Sequence, residues 1–277
     1  DEVTQLVVNF YRTCILSPHI SDTNIALIPK KLVPRVPMDY RPISLCNVVY
    51  KIIAKSLANR LKPHLPDYID PAQQAFNEGR RISGNIIIAQ EIAHTFVLKS
   101  WKYHAFMLKI DLAKAFDWLE WSFIVYALAR KGLHGHFINL IYACISSPTF
   151  SVIINGQPSP KFKSYRGIRQ GCPMSPYLFV LAINELSLAL NDALAANQLQ
   201  GILLGPNCPP IHSLLFVDDL LVCGKATVEE ATSMAQIIHH FCCISGQTPN
   251  WDNSAIIFSA HVDQASIQDI KQNFSCF

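Results

Sequence analysis

Short apolar stretches, bounded by proline, glycine or charged residues, recur along the chain, and each predicts a strand. Residues 105–110 are apolar apart from Lys109, so they predict a buried strand that carries Asp111 at its carboxyl end. Asn155–Gly156 follows a second stretch and is typical of a tight hairpin turn. The other predicted strands are residues 24–28, 150–154 and 255–258.

Apolar residues at helical spacing predict helices between these strands. Thr227 and Glu230 form a capping-box sequence at the start of one helix, and Gly246 is placed to end it. The predicted helices are residues 3–17, 49–61, 85–99, 123–130, 136–146, a helix from Pro173 or Pro176 to about 197, and 228–243. Proline-rich or glycine-rich loops are predicted at 30–42 and 63–84. The irregular alternation of strands and helices indicates an α+β fold.

Two adjacent carboxylates, Asp218 and Asp219, interrupt the apolar run Leu214–Val222. The flanking residues predict two short strands, with the Asp-Asp pair at the tip of the hairpin. Two like charges in an apolar setting repel one another unless a cation lies between them, and Mg²⁺ is the usual one. Taken alone, the pair is more typical of a solvated turn than of a metal site.

The composition is that of a globular chain, with 50% hydrophobic and 16% charged residues. No apolar run reaches the roughly eighteen residues that span a bilayer, so no membrane segment is expected. The chain starts without Met or a signal sequence, which suggests a piece of something longer. Nine cysteines without C-x-x-C spacing favour a reduced, intracellular chain.

Two groups of residues leave alternatives open. Between Ile28 and Arg81, ten Lys or Arg stand against four Asp or Glu, which suits phosphate binding but also fits an ordinary solvated helix face. The sequence His239–Cys243 could supply metal ligands at helical spacing, but no second ligand cluster is visible. A packed helix face is therefore the preferred interpretation of that segment.

Several motifs occur in one order along most of the chain, from about residue 24 to about residue 259. They are Ala26–Lys30, Tyr40–Asn47, a segment with Gln73, Ala75, Phe76, Gly79, Arg80 and Asn85, then Lys109–Asp117, Arg166–Pro176 and Phe216–Asp219. Each is weak alone, but the set in this order resembles reverse transcriptases of non-LTR (LINE-type) retrotransposons, the plant kind in particular.

This resemblance implies a right-hand polymerase fold with fingers and palm subdomains and with the thumb largely missing. The implied division is an N-terminal helical lead-in at 1–23, fingers at 24–100, a palm with motifs A to D at 101–262, and a truncated start of the thumb or linker at 263–277. The implied activity is RNA-directed DNA synthesis from a primer 3′-hydroxyl by a two-metal mechanism.

The resemblance also implies the site. Asp111, Asp218 and Asp219 would be the catalytic residues and would ligate two Mg²⁺ ions, with Mn²⁺ as an alternative. The backbone carbonyl of Leu112 would complete a metal shell. Asp117, six residues beyond Asp111, is interpreted as structural.

Residues outside the aspartates would bind the substrate. Lys30 and Arg41 would hold the triphosphate, for which the bidentate fork of arginine is well suited. Phe116 would lie under the sugar and exclude a 2′-hydroxyl, with a core aromatic as the alternative. Gln170 and Gly171 would shape the nucleotide pocket.

The implied partners are an RNA template, a DNA primer and deoxynucleoside triphosphates. The expected location is intracellular; the sequence does not separate nucleus from cytoplasm, and the resemblance favours the nucleus. The parent element's endonuclease and thumb segments are expected to lie outside this chain. Two positions depart from the family: Gly84 stands where Asp is usual, and Asn253 stands where a lysine is thought to help the leaving group. A decayed copy that only binds nucleic acid is therefore the main alternative, and another two-metal palm enzyme, such as a cyclase, is a weaker one.

Overall fold

The computed structural model describes residues 2–98 and 103–275, which fall into two compact units. The first comprises Asp1–Leu65 and Phe116–Phe179, and the second comprises Pro66–Ala115 and Val180–Phe277. Within the described residues, each unit combines a β-sheet with helices. The predicted α+β class is confirmed.

The element bounds are as follows. The helices are α1 Glu2–Thr13, α2 Pro18–Ser21, α3 Val48–Leu61, α4 Leu65–Tyr68, α5 Ile82–Val97, α6 Ala115–Trp118, α7 Trp121–Arg130, α8 Gly135–Ser146, α9 Ser175–Ala195, α10 Val228–Ser245 and α11 Gln264–Ser275. The strands are β1 Thr23–Pro29, β2 Tyr40–Cys46, β3 Ala105–Asp111, β4 Thr149–Ile154, β5 Gln157–Pro158, β6 Phe162–Lys163, β7 Ser213–Phe216, β8 Asp219–Lys225 and β9 Ala255–Phe258. Short 3₁₀ helices occupy Pro37–Asp39, Lys62–His64 and Trp251–Asn253.

Most predicted elements are present, and the differences have physical reasons. The 30–42 loop prediction was wrong at its end, because β2 begins at Tyr40 and includes Pro42. Proline is tolerated there because β2 is the edge strand of its sheet. Helix α11 was not predicted, although Ile267, Ile270 and Phe274 have helical spacing and the last two are buried.

In the first unit the sheet has the order β2-β1-β4-β5, and β6 also pairs with β4. Strand β1 is antiparallel to β2 and parallel to β4. The Asn155–Gly156 turn forms as predicted, with both residues at positive φ. Helix α3 begins after Asn47, whose side chain accepts a hydrogen bond from Val49 N at 2.9 Å. Its apolar face is buried, with Tyr50 fully enclosed.

Arg169 is a buried centre of contacts in this unit, with 7% exposure. Its guanidinium donates to the Thr23 hydroxyl and to the Cys144 carbonyl, each at 3.0 Å. It also lies 3.7 Å from the centre of the Tyr50 ring. Arg169 therefore links the start of β1, the end of α8 and the inner face of α3.

In the second unit the sheet has the order β7-β8-β3-β9. The central strand β3 is buried along almost its whole length, which explains its continuous apolar pattern. One face of the sheet packs under α5, where Ile92 and Phe96 contact Met107 and Cys223 in a closed apolar cluster. Helix α10 has the predicted Thr227 cap and ends at Gly246 in the left-handed conformation.

Helix α9 passes a length and hydropathy test for a membrane span, contrary to the expectation that no segment would. Of its most apolar stretch, 67% is buried inside the protein. Glu185 in this helix is also buried. The core helix of a globular fold has the same properties, so the test is weak support for a membrane.

The predicted division into lead-in, fingers, palm and thumb stays a prediction, since compactness does not test functional boundaries. Its fingers–palm boundary at 100–101 and its last two residues lie outside the described part of the chain. The predicted His239–Cys243 helix face is part of α10, where the Cys243 sulfur lies 3.5 Å from His239 Nε2.

We predict that Arg169→Met lowers the free energy of unfolding by about 2–3 kcal/mol, because hydrogen bonds from a buried charged donor are lost and their acceptors are left unpaired. The matched control is Arg166→Met. Arg166 is half-exposed beside Glu120 and Trp118, so its loss should cost less than about 1 kcal/mol. Denaturant unfolding of both variants checks the prediction, and equal losses would contradict it.

Candidate active site

Three aspartates meet at one end of the second unit's sheet. Asp111, the last residue of β3, is paired directly with Asp219, the first residue of β8. Asp218 lies next to it in the turn between β7 and β8. The predicted tip was one residue too late, because the turn is Val217–Asp218 and Asp219 already pairs with Phe216. The expected convergence of Asp111 with the hairpin is present.

The electrostatics of this end are unfavourable. Partial desolvation raises the pKa of Asp218, and the charges of Asp219 and Asp111 raise it further, although a backbone hydrogen bond opposes them. Like charges directly opposite one another on paired strands are destabilising. Lys109 Nζ lies 4.0 Å from Asp219, but both side chains are exposed, so this ion pair compensates little.

Asp111 is held by the segment after α10. The side-chain amides of Asn250 and Asn253 donate to Asp111 Oδ2 at 3.0 and 3.2 Å. The backbone N–H of Asn250 donates to the Asp111 carbonyl at 2.7 Å, and the backbone N–H of Asp111 donates to the Ser254 hydroxyl at 3.1 Å. The strand end and its carboxylate are therefore fixed together.

Leu112 forms an isolated bridge with Pro249. The hydrogen bonds of this bridge are made by the residues that flank Leu112: Ala113 N donates to Thr248 O, and Asn250 N donates to Asp111 O. In an antiparallel pair of this kind, the carbonyl of the central residue points away from the partner segment. The Leu112 carbonyl is thus not used by the 248–250 segment.

Lys30 and Arg41 lie in the first unit, on the β1–β2 hairpin. Arg41 is opposite Ile28, and Lys30 follows the end of β1. Both side chains are exposed, at the same end of the hairpin. Lys30 and Arg41, the two predicted phosphate-binding residues, therefore lie close together along the hairpin.

Lys31, next to Lys30, forms an ion pair with Asp39, with its Nζ 2.8 Å from the carboxylate. This ion pair, together with hydrogen bonds from two backbone N–H groups, lowers the pKa of Asp39 to about 2.

The other predicted substrate residues also belong to the first unit. Phe116 stacks on Phe179 with ring centres 4.7 Å apart and planes 10° from parallel. The Gln170 carbonyl accepts a hydrogen bond from Ser44 N at 2.8 Å. Gly171 has φ +102°, and a Cβ there would lie 3.1 Å from the Ser44 carbonyl oxygen, so the close approach of the loop to β2 favours glycine.

A family model described as reverse transcriptase (RNA-dependent DNA polymerase) matches residues 28–266, which include the three aspartates. The chain belongs to this family. The match covers most of both compact units. The predicted family is therefore confirmed.

Retrotransposon proteins are similar to this reverse transcriptase domain. The transposon TX1 uncharacterized 149 kDa protein of Xenopus laevis is 28% identical over 83% of this chain and 17% of its own length. The Pol polyprotein from the R2 element of Popillia japonica is 27% identical over 86% of this chain and 33% of its own length. The chain thus spans a third or less of the length of these relatives. It is a reverse transcriptase domain of the non-LTR retrotransposon kind.

Solved telomerase structures have the same fold. Telomerase from Candida tropicalis superposes with a TM-score of 0.57 at 14% identity, over 95% of this chain and 56% of that one. Telomerase from Candida albicans, solved with a fragment of telomeric RNA, gives a TM-score of 0.54 at 14% identity, over 89% of this chain and 43% of that one. The predicted polymerase-type fold is confirmed, while the missing thumb stays a prediction.

Reverse transcriptases generally use divalent metals, so the donor set of this domain can be tested for fit. Within residues 2–98 and 103–275, no three His, Cys, Asp or Glu side chains are gathered closely enough to hold a metal ion. Mg²⁺ needs only one or two protein carboxylates, with water and substrate phosphates as its other ligands. Asp111 and Asp219 on paired strands, with Asp218 beside them, meet that requirement.

The sequence does not identify the residues that support the aspartates. Asn253 stands out only as a departure from the family, and Asn250 has no separate signal. Gln73 is part of a motif, but its contact with the hairpin cannot be deduced from spacing. Arg169 lies inside the Arg166–Pro176 motif, just before the predicted site residues Gln170 and Gly171, and its own contacts are also long-range.

A buried polar chain lies at the base of the hairpin that carries Asp218. His212 Nε2 donates to Asn191 Oδ1 at 2.8 Å, because the amide nitrogen of Asn191 donates to Asp70. The other ring nitrogen of His212 lies 3.1 Å from the hydroxyl of Ser213, the first residue of β7. Burial lowers the pKa of His212, with the charge of Asp70 opposing, so the ring is neutral at pH 7.

We predict that His212 makes stability fall on mild acidification. Its pKa in the folded protein is below the ordinary 6.5, so the unfolded chain binds the proton more readily, and stability is lost as pH falls below about 6.5. His212→Gln should flatten the difference in unfolding free energy between pH 7.5 and pH 5.5. A parent and variant with parallel pH profiles would contradict the assignment.

Proposed function

We propose that this chain is the polymerase part of a larger retrotransposon protein and that it adds deoxynucleotides to a primer 3′-hydroxyl on an RNA template. The observation that carries the proposal is the meeting of Asp111, Asp218 and Asp219 at one sheet end, inside the region matched by the reverse transcriptase family. Carboxylates that repel one another at a sheet end do not stabilise the fold. They are suited instead to binding cations.

The aspartates and the Leu112 carbonyl would hold two Mg²⁺ ions, or Mn²⁺ instead, and the bound ions would supply Lewis-acid activation of the primer hydroxyl and charge neutralisation at the pyrophosphate. Asn250 and Asn253 orient the Asp111 carboxylate by their hydrogen bonds. The protein would position the reacting groups and neutralise the charge of the phosphates, as in phosphoryl transfer generally.

The substrate roles in the first unit rest on the family resemblance. Lys30 and Arg41, exposed on one hairpin, would bind the triphosphate oxygens. Phe116, made rigid by its stacking on Phe179, would exclude a 2′-hydroxyl. Gln170 and Gly171, held against β2, would shape the nucleotide pocket.

We also propose the finer details of origin and partners. The partners would be an RNA template, a DNA primer and deoxynucleoside triphosphates, and the location would be intracellular, with the nucleus favoured over the cytoplasm by the family resemblance. A plant origin is supported by an uncharacterized mitochondrial protein of Arabidopsis thaliana, which is 46% identical over 67 residues, 24% of this chain. Further segments of the parent element, endonuclease and thumb, would complete the enzyme.

Primer extension on an RNA template with Mg²⁺ tests the proposed function. The parent chain should extend the primer, and Asp218→Asn should lower the rate at least about a hundredfold, because a metal ligand and its charge are lost. The matched control is Asp252→Asn, which removes an exposed carboxylate beside the site. Equal rates for the parent and Asp218→Asn would overturn the role of Asp218.

A second candidate is a catalytically weak remnant that binds nucleic acid. The observation that favours it is the environment of Asp111, where neutral amides of Asn250 and Asn253 occupy Oδ2. An asparagine at 253 carries no charge and cannot give a proton to the leaving group at neutral pH. Turnover by this chain should then be slow even with all three aspartates in place.

We therefore predict that Asn253→Lys speeds primer extension by about a hundredfold or more, within the roughly 10²–10⁴ range that general-acid help typically contributes. The control Asn253→Gln keeps a neutral amide and should give no gain. Single-turnover extension rates, with primer–template binding measured separately, decide the question. If the lysine variant and the parent bind primer–template but both fail to extend it, the remnant is the better description.

A further inference from the structure

A segment ahead of α5 forms an extra edge beside the aspartate hairpin. Gln73 is bridged in parallel to Leu215 of β7. Backbone hydrogen bonds run from Gln74 N to Leu215 O at 3.1 Å and from Leu215 N to Ala72 O at 2.9 Å. The Asn85 amide also donates to the Leu215 carbonyl at 2.9 Å. Residues 72–74 therefore support β7 on the side opposite β8.

The side chain of Gln73 reaches past this edge to the tip of the hairpin. It is completely buried, and its Oε1 accepts hydrogen bonds from Ala75 N at 3.0 Å and from Val217 N at 3.2 Å. Its Nε2 is buried without a partner among the described residues. The amide thus serves as an acceptor for backbone N–H groups.

Val217 needs such support. It has φ +56°, in the left-handed region that a β-branched residue rarely adopts. Strained backbone of this kind persists only where surrounding contacts hold it in place. Asp218 follows directly, so the direction of its carboxylate depends on the conformation of Val217.

The base of this support is itself fixed. The guanidinium of Arg80 donates to the Gln73 carbonyl at 2.9 Å and to the Asp70 and Ile69 carbonyls at 2.6 and 3.0 Å. The Gln73 main chain is therefore held by Arg80, and its side chain holds the hairpin tip through the hydrogen bond from Val217 N.

We propose that Gln73 is a positioning residue for Asp218: its buried carbonyl oxygen binds the Val217 N–H and holds the hairpin tip in the strained conformation that aims the carboxylate. The catalytic consequence rests on the proposed function of Asp218, but the structural step does not. The neighbouring Gln74 supplies a matched control, because its side chain bonds to Pro71 and not to the hairpin.

The first experiment is independent of catalysis. Amide hydrogen exchange is followed by NMR on ¹⁵N-valine-labelled protein, and the Val217 signal is identified by its loss in Val217→Gly. Gln73→Met keeps the side-chain length and removes the acceptor, so the Val217 N–H should exchange about tenfold faster or more. Gln74→Met should exchange like the parent. Unchanged exchange in Gln73→Met would overturn the proposal.

The second experiment uses kinetics. Gln73→Met should lower kcat about tenfold to a hundredfold and raise the Mg²⁺ concentration needed for half-maximal rate, with KM for the nucleotide within about twofold of the parent. Adding Val217→Gly should restore at least about fivefold, because glycine adopts positive φ without strain. A loss confined to KM, or no recovery with glycine, would contradict a positioning role.

The two experiments separate the proposals. If the parent chain is inactive, the exchange experiment still decides whether Gln73 holds the hairpin tip. If Gln73→Met does not fold, Gln73→Asn replaces it, since the same amide on a side chain one carbon shorter cannot reach both N–H groups. Faster exchange at Val217 with no change in kcat would overturn the catalytic consequence.

Discussion

The mutual repulsion of Asp111, Asp218 and Asp219 is the constraint around which the second unit is organised. Strand pairing places two of these carboxylates opposite one another, and the turn adds the third. Like charges directly opposite one another destabilise a strand pair. The pKa of Asp218 is raised mainly by burial, and the charges of Asp219 and Asp111 raise it further. The buried strand β3 fixes the position of Asp111, and the well-supported β7–β8 hairpin fixes the positions of Asp218 and Asp219.

Two supports of similar chemistry hold the two sides of this end. Asp111 is fixed by the 250–254 segment through amides, a hydroxyl and the backbone. The hairpin is fixed by residues 72–74, and the Gln73 side chain accepts a hydrogen bond from Val217 N at the hairpin tip. Both supports use neutral groups, so they position the carboxylates without cancelling their charge.

The first unit is held together by a different set of contacts, which centre on Arg169. Arg169 joins β1, α3 and α8, and this anchors the loop that presents Gln170 and Gly171 beside β2. The residues with substrate roles by resemblance therefore lie on a well-held hairpin and loop. Their side chains remain exposed or half-buried, as binding requires.

The sequence by itself determined the strands, most helices, the Thr227 cap, the Asn155–Gly156 turn and the family, because these depend on local spacing and on motifs within short windows. It failed at β2, where an edge position tolerates Pro42. Only the tertiary structure decided the supports of the aspartates. Val217 and Gln73 are 144 residues apart, and Asn250 and Asp111 are 139 apart. Contacts across such separations are set by the packing of the sheet, which no local pattern specifies.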